Sequence, residues 1–473
     1  MNIKLITFIN GLILFGIFCA MASVLCIDLI FFNGYNVELF LPPSLFCLFF
    51  GVLFAILFKT KISSSNISRS EIILLVISIW LTISISSSLP FYNYVTFNKS
   101  FASSILESVS CITTTGFTIY DNITSLPISL QIWRLFLNVI GGAGIIAIAI
   151  VALPMMRVGG MQLFRVENSG QSGHISNKTS KMAASFIGFY LSAIFIAISL
   201  LIFCGMSPLY AAINGIGSIS TAGCYITPEM STSAIKIILS GAMIIGGINF
   251  FDIIKLSTRH HNSQNLVHSQ IKCYFSVIFF TFMIVSASII LNKASYNFCN
   301  CLFDVASASA TAGSTPQIHD RNAFIDAALF FVMCLGGCSG STSGGIKIFR
   351  FQILCSIIKN FIKKTSNRYL ISTPKYQDDN IDYNLSMSIV SYFIFLFLAI
   401  IVSILSICIF DANASISSIS LGVISSIFNS GQYIDVNSFT NATKMIFAID
   451  MMIGRLDVVP VMLLMNSEFW KKR

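Results

Sequence analysis

Charge is what this sequence has least of. Only 10% of its 473 residues are Asp, Glu, Lys or Arg, while 55% are hydrophobic and the mean hydropathy is +0.83. An ordinary soluble domain is roughly 25% charged, because most of its surface must be polar. A soluble enzyme, a secreted disulfide scaffold and a disordered tail are therefore excluded. Grouped metal ligands are missing as well. Most of the 13 cysteines, among them Cys19, Cys26, Cys47, Cys204 and Cys408, lie inside apolar runs, where they read as small buried residues. Cys299 and Cys301 make a lone Cys-x-Cys, and His260-His261 falls in a polar loop read as solvated. A phosphate loop is absent: the Gly/Ser stretch 336–345 continues as Ile346-Lys347-Ile348, without the Gly-Lys-Ser/Thr ending. Nor are carboxylates or histidines clustered at a membrane edge, as a polytopic enzyme acting on lipid-linked substrates would need.

What is present is a series of apolar runs near the length that crosses a bilayer, so the chain spans by helices and not by the short alternating strands of a barrel. Ten full spans are expected, near 5–32, 40–58, 71–90, 128–153, 182–204, 234–254, 271–292, 323–350, 386–410 and 441–465. The first carries Ala20-Met21-Ala22, which mimics a signal-peptide cleavage site. Its apolar run continues past that point, so it reads as a retained helix. Four shorter semi-polar segments, 101–113, 208–220, 299–311 and 414–428, cannot cross alone and read as re-entrant helices. If all four return to the side they entered from, most of the 28 Lys and Arg fall on one face, including the run from Lys347 to Lys375 and the terminal Lys471, Lys472 and Arg473. The positive-inside rule makes that face cytoplasmic, with both termini on it. The net charge of +9 is then topology and implies no nucleic-acid partner.

The four short segments head four similar loops: Thr113-Thr114-Thr115-Gly116, Ser220-Thr221-Ala222-Gly223, Ala310-Thr311-Ala312-Gly313 and Phe428-Asn429-Ser430-Gly431. Their glycines are 107, 90 and 118 residues apart, and each loop sits between two spans. The expected fold is an all-α polytopic membrane protein. Four pseudo-symmetric units of span, short helix, loop and span surround one pore, and two extra spans precede them. The divisions are 1–62 for the extra spans, then 63–157, 158–258, 259–375 and 376–473 for the repeats. Non-helical backbone at membrane depth is tolerated where it lines a cavity. Four such loops can turn carbonyls onto one axis and replace the water around a dehydrated cation, with the negative helix ends aimed at the same point. None of the loops holds a carboxylate, which argues against a divalent ion.

Two further motifs have physical content. Gly336-Gly337-Cys338-Ser339-Gly340-Ser341-Thr342-Ser343-Gly344-Gly345 should unwind the span that contains it. Arg455 lies in the last apolar run, facing a partner or water-filled path or else snorkelling to the cytoplasmic interface; Asp457, two residues on, faces elsewhere. Glu107 and Asp304, inside short helices, either hold helix ends by hydrogen bonds or add negative field near the pore.

With these motifs the whole chain resembles the Trk/Ktr/HKT superfamily of potassium transporters, most of all its bacterial TrkH branch. The resemblance rests on the four loops, on 336–347, and on Gly454-Arg455-Leu456-Asp457 ahead of Glu468-Phe469-Trp470. It implies potassium uptake across the bacterial inner membrane, with K+ as substrate and no other cofactor. The filter it implies consists of Thr114, Thr115, Gly116, Thr221, Ala222, Gly223, Thr311, Ala312, Gly313, Asn429, Ser430 and Gly431. The gate it implies consists of Gly336, Gly337, Gly340, Ser341, Gly344, Gly345 and Arg455. It further implies a homodimer embedded in lipid, with a separate cytoplasmic nucleotide-binding regulator of the TrkA type. Gly116 favours potassium over the sodium-permeable branch, in which Ser stands at the first filter glycine. Two departures stand out: Gln432-Tyr433 after Gly431, where Gly-Pro-Gly is common, and Cys224-Tyr225 where Phe-Ser is usual.

Overall fold

The computed structural model describes residues 3–32, 34, 36–60, 68–94, 100–120, 123–156, 175–224, 232–250, 253, 264–291, 298–313, 323–367, 369, 372–376, 379–431, 434–456, 458–465 and 467–470. Seven helices among them are long and apolar enough to cross a membrane: Ile3–Phe31, Val37–Leu57, Ser70–Asn93, Ile128–Ile145, Ala183–Phe203, Ser269–Leu291 and Tyr383–Phe410. The short segments are helices too, Phe101–Ile112, Pro208–Ile219, Phe298–Ser309 and Ile416–Ile427, each of 12 residues. The fold class expected from the sequence holds.

Three of the ten expected spans are shorter or divided. The 234–254 run is divided: the helix Ser233–Gly247 ends before 248–249, and Phe250 and Ile253 are helical again. The 323–350 run is Ala323–Leu335, then non-helical backbone, then Ile348–Ser366. The last run is split into Asn441–Leu456 and Val458–Met465. The first two share a cause. The carbonyls of Gly246 and Gly247 accept the N–H groups of Thr342 (3.2 Å) and Cys338 (2.9 Å), so the end of one helix satisfies the unwound backbone of the other.

The chain forms two compact units. The first comprises Met1–Gly144, Ser403–Ile427 and Gln432–Arg473. In it the two N-terminal helices pack closely: a Cβ on Gly11 would come within 2.9 Å of Ala55 N, and one on Gly51 within 2.9 Å of Phe15 N. Where lipid is as apolar as the side chains, such close approach and interhelical hydrogen bonds, about 0.6 kcal/mol each, hold helices together. Asn10 supplies two of these bonds, to Ser78 Oγ (2.9 Å) and from Thr82 Oγ1 (3.2 Å). The third helix starts with a capping box: Ser68 Oγ accepts from Glu71 N, and Glu71 Oε2 accepts from Ser68 N. The first short helix packs against this third helix and against Asn441–Leu456. Ser108 Oγ donates to Ser84 O (2.8 Å), and buried Trp133 donates to Ser87 O (3.2 Å).

The second unit comprises Ile145–Val402 and Phe428–Gly431. Its second and third short helices share an apolar core with Ser233–Gly247, built on Ala211, Leu239, Met243, Phe303 and Ala306. Tyr274, Val305, Leu329, Cys338 and Ile348 form a neighbouring cluster beside the break at 336–347. Beyond it, Lys375–Tyr376 pairs antiparallel with Asp379–Asn380, and Tyr376 packs on Phe349. Arg350 lies 4.1 Å over the ring of Tyr392, a cation–π contact.

Candidate functional site

Three of the short helices end in the same hydrogen bonds. In the first, the N–H of Thr114 bonds Cys111 O (3.2 Å) and that of Thr115 bonds Ser110 O (2.9 Å). In the second, Thr221 bonds Ser218 O (3.3 Å) and Ala222 bonds Gly217 O (2.8 Å). In the third, Thr311 bonds Ala308 O (3.1 Å) and Ala312 bonds Ser307 O (2.8 Å). This is the Schellman closure, which needs a left-handed residue just past the helix, usually Gly and sometimes Asn. Here the residues are Thr114 (φ 51°), Thr221 (56°), Thr311 (56°) and, in the fourth loop, Asn429 (50°). Two residues on, Gly116, Gly223, Gly313 and Gly431 are left-handed as well, at 89°, 100°, 68° and 86°. A β-branched residue with positive φ is an outlier costing about 1–3 kcal/mol. Finding Thr there three times is a reason to ask what its hydroxyl does.

The hydroxyls have specific partners. In the first unit, Thr114 Oγ1 accepts from Nη2 of Arg455 at 2.6 Å. In the second unit, Thr221 Oγ1 donates to Thr342 O (3.0 Å) and Ser220 O (2.7 Å), and Thr311 Oγ1 accepts from Gly344 N (2.6 Å). The 336–347 stretch is bound elsewhere in its unit too. Thr342 Oγ1 meets Ile219 O (2.9 Å) and Gly246 O (3.0 Å), and Gly345 N donates to Phe428 O (3.0 Å). Lys347, itself left-handed at 75°, turns its ammonium back onto Ser343 O. Gly313 and Gly431 face each other so closely that a Cβ on Gly431 would lie 3.0 Å from the carbonyl carbon of Gly313. A Cβ on Gly344 would overlap Phe428 O.

The expected site residues therefore fall into two groups. Gly336, Gly337, Gly340, Ser341, Gly344 and Gly345 share a unit with the second and third loops and with Asn429, Ser430 and Gly431. Arg455 shares the other unit with Thr114, Thr115 and Gly116, and its guanidinium is engaged by the loop. Gln432, Tyr433, Tyr225, Asp457, His260 and His261 lie outside the described residues. Among the described residues no group of three or more His, Cys, Asp or Glu is arranged to hold a metal.

Glu107 has a structural task. It pairs with Arg134 of the helix Ile128–Met156, both fully or nearly buried, and accepts the N–H of Ile119 at 2.9 Å, so it ties the chain beyond Gly116 to the short helix. Sequence reasoning overlooked Arg134; the available signal was a cation inside an apolar span. Glu107 is the seventh residue of its helix. The seventh residues of the other three are Asn214, Asp304 and Gly422. At Gly422 a side chain would strike Ile434 and Phe447. Two further buried polar contacts in the first unit were missed: Ser403 Oγ to Asp450 Oδ1 (2.7 Å) and Lys444 Nζ to Ser103 Oγ (3.4 Å).

Residues 44–273 and 314–472 match the TrkH family, described as cation transport protein. The chain is 27% identical over 411 residues to the Trk system potassium uptake protein TrkI of Halomonas elongata, covering 83% of this chain and 82% of that protein. It is 26% identical over 494 residues to the Trk system potassium uptake protein TrkH of Vibrio parahaemolyticus, over the whole of both chains. The crystal structure of the potassium transporter TrkH from Vibrio parahaemolyticus has the same fold, with a TM-score of 0.89 over the full length of both chains at 23% identity.

Proposed function

The chain belongs to the TrkH family of cation transport proteins, and from that premise we propose that it takes up potassium across the bacterial inner membrane through a filter to which all four loops contribute. The observation that carries this reading is the fourfold backbone: a left-handed residue closing each 12-residue helix and a left-handed glycine two residues later. The same turn repeated at four matching places points to one task shared by the four backbones. Carbonyls of Thr114, Thr115, Gly116, Thr221, Ala222, Gly223, Thr311, Ala312, Gly313, Asn429, Ser430 and Gly431 replace the water of a potassium ion. The potassium uptake named for the relatives supports the choice of ion.

The stretch 336–345 and Arg455 obstruct the path until a cytoplasmic nucleotide-binding regulator of the TrkA type releases them. Arg455 sets a fixed positive charge beside the first loop, and a cation meeting it in a low-dielectric passage is repelled. The protein assembles as a homodimer with both termini cytoplasmic, in five sequence segments, 1–62, 63–157, 158–258, 259–375 and 376–473.

Expression in a bacterium lacking its own potassium uptake, with a TrkA-type partner, is expected to restore growth at low potassium. Failure of growth despite membrane insertion would remove the uptake reading. In liposomes without partner, Arg455→Ala is expected to raise potassium flux about tenfold, as loss of roughly 1.4 kcal/mol of barrier does. Unchanged flux in a monodisperse variant would assign Arg455 to the membrane interface instead.

A further inference from the structure

We propose that the left-handed threonines are the joints between filter and gate: Thr114 holds Arg455, and Thr221 and Thr311 hold the 336–347 loop. This rests on the filter-and-gate reading above and adds to it a physical link. A loop that offered only its backbone carbonyl to an ion would be served best by Gly at the left-handed position, which adopts it without steric cost. Thr is instead used in three loops, at φ 51°, 56° and 56°. In each case the hydroxyl is bound to an element assigned to the gate. Arg455 Nη2 donates to Thr114, Gly344 N donates to Thr311, and Thr221 donates to Thr342 O.

The three contacts differ in chemistry, one with a guanidinium, one with a backbone N–H and one with a carbonyl, and they occur in two separate compact units. A shared packing accident does not produce that pattern. Each hydroxyl thus holds a gate element in the closed arrangement, Thr221 while also bonding Ser220 O. When the 336–347 loop withdraws, Gly344 N and Thr342 O must leave Thr311 and Thr221. The residue that shapes the filter backbone is then the residue that loses its tether. A gate movement is transmitted to the filter through a single side chain in each of these loops, and by reciprocity the filter's occupancy biases the gate.

Valine tests this because it keeps the β-branch and nearly the volume of threonine while exchanging the hydroxyl for a methyl that cannot hydrogen-bond. Thr221→Val, Thr311→Val and Thr114→Val, each reconstituted in liposomes without any partner protein, are compared with wild type and with Arg455→Ala for potassium and sodium flux. Each valine is expected to raise partner-free potassium flux up to about tenfold, the fold-change one lost hydrogen bond supports. Thr→Ser at the same position, which restores the hydroxyl, is expected to bring the flux back down. Valine variants that stay closed while Arg455→Ala opens would overturn the joints and leave the gate intact. A fall in potassium-to-sodium ratio without a gain in flux would also overturn them, making the hydroxyls ion ligands. If Arg455→Ala and all three valines pass no potassium, the transport reading fails with them. Because the sites lie in two units, a valine that prevents folding at one leaves the others to decide.

Discussion

Gly431→Ala is expected to abolish potassium flux, by at least about a hundredfold or roughly 2.8 kcal/mol, in a protein that still inserts and purifies. Two costs combine. At φ 86° any Cβ is disfavoured, by about 1–2 kcal/mol. That Cβ would also approach the backbone of Gly313, 3.0 Å from its carbonyl carbon and 3.1 Å from its nitrogen. Neither backbone can yield without turning its own carbonyls. Gly313→Ala meets the same obstacle from the other side, since its Cβ would fall on Gly431 Cα and Ser430 O. Gly16→Ala is the control: nothing lies within 4 Å of a Cβ there, and in mid-helix the change should be neutral or slightly stabilising. Isotope uptake into liposomes reads the outcome. Full flux through Gly431→Ala would mean that the third and fourth loops do not set the path.

The second large effect is on folding. Arg134→Ala leaves the Glu107 carboxylate buried without its cation, and breaking a buried pair in this way costs about 3–5 kcal/mol. A large drop in thermal stability in detergent is expected, with little folded protein recovered. The double variant Glu107→Gln/Arg134→Met carries no buried charge, and the amide carbonyl that replaces the carboxylate can still accept from Ile119 N. It should regain most of the loss. An Arg134→Ala protein as stable as wild type would show that water or lipid headgroups reach Glu107, contrary to its full burial.

The four short helices were legible in the sequence almost to the residue. The expected 101–113 and 208–220 are Phe101–Ile112 and Pro208–Ile219, because a short apolar stretch followed by Thr, Ser and Gly has few other readings at membrane depth. The break after Leu335 was legible for a similar reason, as Gly and Ser in an apolar run weaken helix. The early end at Gly247 was not. Gly246-Gly247 weakens the helix locally, but its last carbonyls are taken by Cys338 and Thr342, some 90 residues on. Nor could the left-handed threonines be read, since local preference argues against a β-branched residue at positive φ. Arg134 shows the same limit: the pairing with Glu107 spans two helices that sequence spacing alone does not join.

The seventh residues of the short helices, Glu107, Asn214, Asp304 and Gly422, bear on how such a chain can evolve. Four copies in one polypeptide can drift separately. One carries a carboxylate clamped by an arginine, another an amide, and another no side chain at all, with Phe447 and Ile434 in the room. In an assembly of four identical subunits every substitution arrives four times, so a change tolerable on one side must be tolerable on all. The glycine–serine break at 336–347 lies in a single copy; on the gate reading proposed above, that copy alone carries the obstruction and the other three need no loop of their own.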